Sequence, residues 1–154
     1  MKLHHTLMAL LFCFVCTAGM AQKEEWKTYK NKKLGYSVMY PKEWKAKGGE
    51  NGFYCGKESG FGNAEFMIMW SDVTDQDRID FIFNDADFYQ GYDVQRETIT
   101  INGKEAERII ATKSSNPDLY SEIVILKTPE KWYKFENAGV KDFRFQRFYE
   151  SFTF

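Results

Sequence analysis

The clearest alternation of apolar and polar residues lies on either side of Asn102-Gly103, in the sequence ETITINGKEAERII. An Asn-Gly pair between two extended runs is typical of a two-residue β-hairpin turn, because both residues tolerate a positive φ. Counting outward from the turn pairs Ile101 with Lys104 and Ile99 with Ala106. The segment is therefore predicted to form two antiparallel strands in this register.

Further short runs of β-forming residues predict the rest of a sheet. After the hairpin, YSEIVILK and KWYKFEN predict two strands joined by a turn at Thr128–Glu130. Before it, EWKTYKNKKLGYSVMYP predicts two strands, and the second, Gly35–Tyr40, ends at Pro41 because proline has no N–H to donate. The glycine-rich residues 48–62 predict a loop with a short strand at Phe53–Cys55. The apolar run AEFMIMW, which follows the loop, predicts a strand covered on both faces.

Two segments have the period of a helix rather than a strand. In SDVTDQDRIDFIFNDADF, Thr74 and Asp77 form a pair typical of a helix start, and one apolar face follows at Ile79, Ile82, Phe83 and Ala86. Near the end of the chain, helical spacing recurs at Phe145, Phe148, Tyr149 and Phe152. Together these elements predict an α+β domain, an antiparallel sheet of about five to seven strands with two helices packed on it.

The first 21 residues have a different pattern from the rest of the chain. Lys2 precedes an apolar run at Leu7–Val15, and small residues cluster at 17–21. This is the layout of a secretory signal peptide, and the apolar run is shorter than the roughly 20 residues that span a bilayer. We therefore expect cleavage after Ala21, which leaves a single domain of residues 22–154 in the periplasm or outside the cell.

Removal of that segment changes which chemistry the chain can perform. Both histidines, His4 and His5, lie within it, and so do Cys13 and Cys16, which leaves Cys55 as the one cysteine. A lipoprotein anchored at Cys13 or Cys16 is the alternative, which the bulky residues before both cysteines disfavour. Without histidine, Ser–His–Asp and Cys–His catalysis and His-containing zinc sites are excluded, and no cofactor motif is present. The sequence predicts that the protein is not an enzyme.

Charge separates the processed chain into segments of opposite sign. Loss of Lys2 moves the formal net charge from −1 to −2, which gives no electrostatic reason to expect nucleic-acid binding. Residues 22–57 hold nine lysines against four glutamates, whereas residues 58–100 hold ten acids against two arginines. Solvated faces of different sign explain this distribution, and a dipolar surface that steers a charged partner is the sharper interpretation.

The packing residues at the start of the domain resemble those of a known family. An aromatic strand with Tyr29, a Gly35-Tyr36 turn, a strand ending in Tyr40-Pro41 and then Trp44 follow one another in YKNKKLGYSVMYPKEW. This order resembles the opening of the PsbP-like family, whose fold is shared with the Ran-binding Mog proteins. The central hairpin TITINGKEAERI and the closing segment FQRFYESFTF are similar to that family as well. The resemblance implies that Pro41 ends an early strand and that Trp44 packs into the core.

The resemblance also implies a role in binding rather than catalysis. Members of the family act mostly as accessory subunits, adaptors or chaperone-like binders, and related bacterial domains are exported or associated with secreted toxins. No catalytic motif of the family maps onto this chain, so no residue role is carried over. The function expected from the resemblance is an exported adaptor that acts through a protein partner, with a periplasmic immunity protein against a toxin as the specific version.

Two segments are candidate contact surfaces for such a partner. The glycine-rich loop places aromatic side chains beside backbone that adapts readily, and the acidic segment carries the charge that would complement a basic partner. The candidate residues are Phe53, Tyr54, Phe61, Asp75, Asp77, Asp80, Asp85 and Asp87.

Other functions remain as alternatives to protein binding. The acidic run is rich in the ligands that calcium prefers, but DADFYQG places Gly91 one position late for an EF-hand loop and lacks the closing glutamate. A small-molecule binder or a small hydrolase that uses carboxylates is the remaining alternative, although no pair of acids is singled out. Cys55 is either a small buried hydrophobic residue or a thiol activated by Lys57, and the first interpretation is favoured.

Overall fold

The computed structural model describes residues 24–50, 52–58, 60–84, 89–139 and 141–154. The described residues form an α+β fold in which a seven-stranded antiparallel sheet, a separate two-stranded hairpin and two helices pack together. The elements are β1 Trp26–Asn31, β2 Tyr36–Pro41, β3 Lys45–Gly49, β4 Gly52–Gly56, β5 Phe66–Asp72, α1 Gln76–Phe83, β6 Tyr92–Ile101, β7 Lys104–Lys113, β8 Asn116–Lys127, β9 Lys131–Gly139 and α2 Arg144–Glu150. The strand order of the sheet is β3-β4-β5-β9-β8-β7-β6.

The predicted central hairpin is present in the predicted register. Strands β6 and β7 pair with Ile101 opposite Lys104 and Ile99 opposite Ala106, and Asn102 has a φ of 48° at the turn. Strands β8 and β9 then extend the sheet, and they meet at the predicted turn, where the Thr128 N–H donates to the Lys131 carbonyl at 2.9 Å. The local turn chemistry therefore sets the middle of the sheet.

The two faces of the sheet differ in what covers them. We call the face that packs against the β1–β2 hairpin and α2 the closed face, and its buried residues include Phe53, Phe66, Ile68, Val124, Leu126, Tyr133 and Phe135. The opposite face, which we call the open face, has a smaller apolar cluster at Ile109, Ala111, Ile123 and Ile125. Helix α1 packs against this side at β5 and β9, where the Lys134 ammonium donates to the Ile82 carbonyl at 3.1 Å.

Trp44 completes the closed face, as the resemblance implied. Its side chain is 3% exposed and lies 4.8 Å from the ring of Phe66, while the Arg144 guanidinium covers it at 4.5 Å. Pro41 is the last residue of β2 and is buried. The Tyr-Pro-x-x-Trp stretch therefore ends a strand and fills the core.

Both helices form where the apolar period predicts them, with differences at their ends. Helix α1 begins after Asp75, whose carboxylate accepts the Arg78 N–H at 3.1 Å, so the predicted cap at Thr74 is wrong by one residue. Ala86, predicted on the same apolar face, lies outside the described residues. In the second segment, Phe152 is buried but follows the end of α2. In the part of the chain that the structure describes, no helix is long and apolar enough to cross a membrane.

Candidate protein-binding surface

An apolar pocket lies on the open face near one edge of the sheet. It has a volume of about 350 Å³, and strand alternation directs the side chains of Tyr54, Met67 and Met69 toward it. Phe61, on a short 3-10 turn, also lines the pocket and is 62% exposed. The rings of Tyr54 and Phe61 meet edge to face at 5.7 Å, an arrangement that aromatic quadrupoles favour. The structure therefore brings two of the sequence-predicted contact residues together beside a pocket.

Phe53, the third predicted aromatic contact, points the other way. Successive residues of a strand face opposite sides of the sheet, so Phe53 and Tyr54 do not share a surface. Phe53 is 1% exposed and packs in the closed face, where its ring centre lies 4.6 Å from that of Tyr29. The placement of Phe53 on a contact surface was therefore wrong, because its side chain has no area to offer a partner.

Cys55 lies in the same strand as Phe53 and is equally enclosed. It is fully buried, and this burial, with a smaller contribution from the Glu65 carboxylate, raises the pKa of the thiol. A raised pKa disfavours the thiolate, which is the reactive form. The interpretation of Cys55 as a small buried hydrophobic residue is therefore confirmed.

A second pocket lies where the start of α1 meets the turn of the β1–β2 hairpin. It has a volume of about 430 Å³, and Asp75 and Arg78 line it together with Trp70. The Arg78 Nε–H donates to the Trp70 carbonyl at 2.8 Å, and its guanidinium lies 5.4 Å from the Trp70 ring. Gly49 and Glu50, at the turn between β3 and β4, border this pocket and the apolar pocket alike. The glycine-rich turn therefore connects the two regions that the sequence singled out.

Two of the remaining predicted acids lie on the solvent side of α1. Asp77 is exposed in the first turn of the helix, and Asp80 is exposed and accepts a hydrogen bond from the Gln76 amide at 2.7 Å. Asp85 and Asp87 lie outside the described residues. Phe81, which the sequence reasoning missed, is 88% exposed on this helix. In the sequence, Phe81 lies off the apolar helix face formed by Ile79 and Ile82, and this position predicts an exposed side chain.

A network of charged side chains lies at the far end of the closed face. The Arg108 guanidinium donates to Glu122 at 2.7 Å and to Glu97 at 2.5 Å, and the Tyr120 hydroxyl donates to Glu122 at 2.5 Å. Burial, followed by this hydrogen bond, raises the pKa of the Tyr120 hydroxyl. Arg108 on β7 binds a carboxylate on each adjacent strand, so the arrangement joins β6, β7 and β8.

Among the described residues, no group of three or more histidine, cysteine, aspartate or glutamate side chains is arranged to hold a metal ion. The acids of α1 are spread along the helix surface instead, with Asp75 engaged in capping.

Comparison with known proteins bears on the fold. No protein-family profile and no curated protein sequence matches the chain. Solved structures do match, and one of them is the solution structure of cyanobacterial PsbP (CyanoP) from Synechocystis sp. PCC 6803. The similarity covers 90% of this chain and 98% of that chain with a TM-score of 0.52 and 15% sequence identity. At this level of identity the likeness concerns the fold alone, and the chain has a PsbP-like fold.

Proposed function

We propose that the chain is an exported, non-catalytic binding protein that acts through a protein partner. The observation that carries this proposal is the aromatic pair of the half-buried Tyr54 and the exposed Phe61 beside the apolar pocket. Aromatic side chains next to a pocket are typical of the centres of protein interfaces, where they supply large contact area at a small entropic cost. The signal-peptide pattern of residues 1–21 supports a location in the periplasm or outside the cell.

The narrower form of the proposal is a periplasmic immunity protein that blocks an antibacterial toxin. Asp77 and Asp80 are exposed on α1, and Phe81 projects from the same helix with 88% of its surface exposed. An apolar residue surrounded by carboxylates suits a basic cleft, because opposite potentials steer association and the ring supplies burial. In this form, α1 would enter the cleft and prevent substrate from reaching it.

Affinity purification from the native cells tests the proposal. The chain is expressed with its own N-terminal segment and a C-terminal tag, and proteins that co-purify from the exported fraction are identified by mass spectrometry. We expect a stoichiometric partner that is lost from the Tyr54→Ala/Phe61→Ser variant. For the narrower form, we expect loss from Asp77→Lys/Asp80→Lys, while Glu105→Lys, which reverses an exposed carboxylate on β7, retains the partner. Asp75 is left intact because it caps the helix.

The outcomes separate the two forms of the proposal. A partner retained by the α1 variant but lost by the aromatic variant would contradict the immunity form and support the aromatic surface. A partner retained by both variants would place binding elsewhere on the protein. A partner-free monomer from cells that express every candidate toxin would contradict the proposed function.

A further inference from the structure

Among the described residues, strand β3 has a hydrogen-bonded neighbour on one side only and forms an edge of the sheet, with Tyr29 of β1 packed against Gly48. It is the first strand of the sheet and pairs with β4, in the register Lys45 to Gly56, Lys47 to Tyr54 and Gly49 to Gly52. In an antiparallel ladder, the N–H and C=O of successive residues point alternately toward one neighbour and the other. The Cys55 carbonyl accepts the Glu65 N–H at 3.0 Å, on the β5 side, so the residues on either side of Cys55 direct their backbone toward β3.

This alternation fixes which backbone groups of β3 face outward. Lys45, Lys47 and Gly49, which pair with β4, use their N–H and C=O groups within the sheet. Ala46 and Gly48 lie between them, so their N–H and C=O groups point away from β4. Exposed edges of this kind accept an extended segment of another chain as an additional strand.

A trough on the open face leads from this edge to the apolar pocket. Gly49 on β3 pairs with Gly52 on β4, which pairs with Met69 on β5. Two neighbouring positions across the strands therefore lack side chains. Gly52 is required by its own backbone, since its φ is 147° and a Cβ there would lie 2.1 Å from the Ile68 carbonyl oxygen. Gly49 has no such requirement, because a Cβ on it meets no atom within 4 Å. Its effect is to keep open the path along which a large side chain would reach Tyr54 and Met69.

The charges along the edge indicate the chemistry of the segment that fits. The side chains of Lys45 and Lys47 alternate with Ala46, lie on the same face as Tyr54 and are exposed. Neither lysine forms an ion pair with any described residue. At the opposite edge, on β6, two of the charged side chains are already paired, since Arg96 binds Glu107 at 2.8 Å and Glu97 binds Arg108 at 2.5 Å. Unmatched lysines at one edge favour acidic side chains directly opposite them.

We propose that β3 binds an extended acidic segment of the partner protein as an eighth, antiparallel strand. The segment places a large apolar side chain opposite Gly49, where it follows the trough to the pocket, and acidic side chains opposite Lys47 and Lys45. Its sequence pattern is therefore apolar-x-acidic-x-acidic, read from its N-terminus. This inference rests on the proposed function and names the way in which the partner is held.

Selection from a random dodecapeptide library displayed on phage, with the purified protein as target, tests the pattern. We expect enriched peptides to share apolar-x-acidic-x-acidic, and a synthetic peptide of that class to bind more weakly as salt rises. Two variants of the protein should bind this peptide at least about tenfold more weakly, which corresponds to a loss of about 1.4 kcal/mol of binding free energy. Gly49→Ile fills the trough, and Ala46→Pro removes an outward N–H that the sheet itself does not use. The matched control Ala46→Val keeps that N–H and should bind normally.

Enrichment of peptides without this pattern would overturn strand addition at β3. Equal peptide binding by Ala46→Pro and the unaltered protein would overturn it as well, once thermal unfolding shows that both proteins are folded. Affinity purification with Ala46→Pro separates the two proposals. A partner that Ala46→Pro retains contradicts strand addition but leaves the proposed function intact. Peptides that bind in the expected pattern, with no cellular partner for the unaltered protein, contradict the function but not the edge site.

Discussion

The closed and open faces use the same seven strands but are covered by very different amounts of apolar structure. A hairpin and a helix cover the closed face, and the aromatic residues Phe66, Phe135, Phe145, Phe148 and Phe152 there are at most 1% exposed. The open face is covered by α1, whose buried side chains are Ile79 and Ile82. The free energy of folding is therefore concentrated on the closed face, which leaves the open face near β3 free to carry contacts that do not serve folding.

The largest expected effect is the loss of an aromatic ring from the closed face. Phe148 lies within 6.4 Å, ring centre to ring centre, of Phe53, Phe66, Phe135 and Phe145. Phe148→Ala removes this burial and leaves a cavity, so we expect the free energy of unfolding to fall by about 3–5 kcal/mol in urea denaturation. Phe81→Ala is the matched control, because Phe81 is 88% exposed, and it should stay within about 0.5 kcal/mol. Equal losses in the two variants would contradict the contrast between the faces.

A smaller effect is expected from alkaline pH, again through the closed face. Burial is the main cause that raises the pKa of Tyr133 and of Tyr149 to about 12, from the ordinary value of 10.0. A raised folded-state pKa stabilises the folded protein fully below pH 10, and this stabilisation is lost as pH rises from 10 toward 12. We expect the urea midpoint to fall as the pH rises from 10 toward 12, and to fall less steeply in Tyr149→Phe. An unchanged slope in that variant would show that Tyr149 ionises as readily in the folded state as in the unfolded state.

The parts of the fold that local chemistry determines were predicted well from the sequence. The register of β6 and β7 follows from Asn102-Gly103, and the apolar period predicted both helices. Strand β3 was missed, because KAKGG has no apolar alternation and becomes a strand through pairing with β4. The cap of α1 was predicted at Thr74 from its spacing to Asp77, whereas the structure uses the carboxylate of Asp75, one residue later.

The candidate site was predictable only in part, for a related reason. Tyr54 and Phe61 were predicted as contact residues of the same glycine-rich loop, and the structure brings their rings together. The burial of Phe53 follows from strand alternation once Tyr54 is known to face outward. Lys45 and Lys47 gave no signal, because their alignment along an edge of the sheet depends on the order of strands, which a single sequence does not reveal.

The smallest expected effect concerns the cover of the open face. Asp75→Ala removes the carboxylate that accepts the Arg78 N–H, so we expect the free energy of unfolding to fall by about 1 kcal/mol. Asp77→Ala, in the first turn of the same helix, loses a charge near the helix N-terminus but no capping bond, and should cost about 0.3–0.5 kcal/mol. Hydrogen exchange gives the sharper readout, because α1 should lose protection in Asp75→Ala while α2 keeps it. Equal loss of protection in both helices would mean that the two faces unfold as one unit, and the open face would then be no freer to adapt to a partner than the closed face.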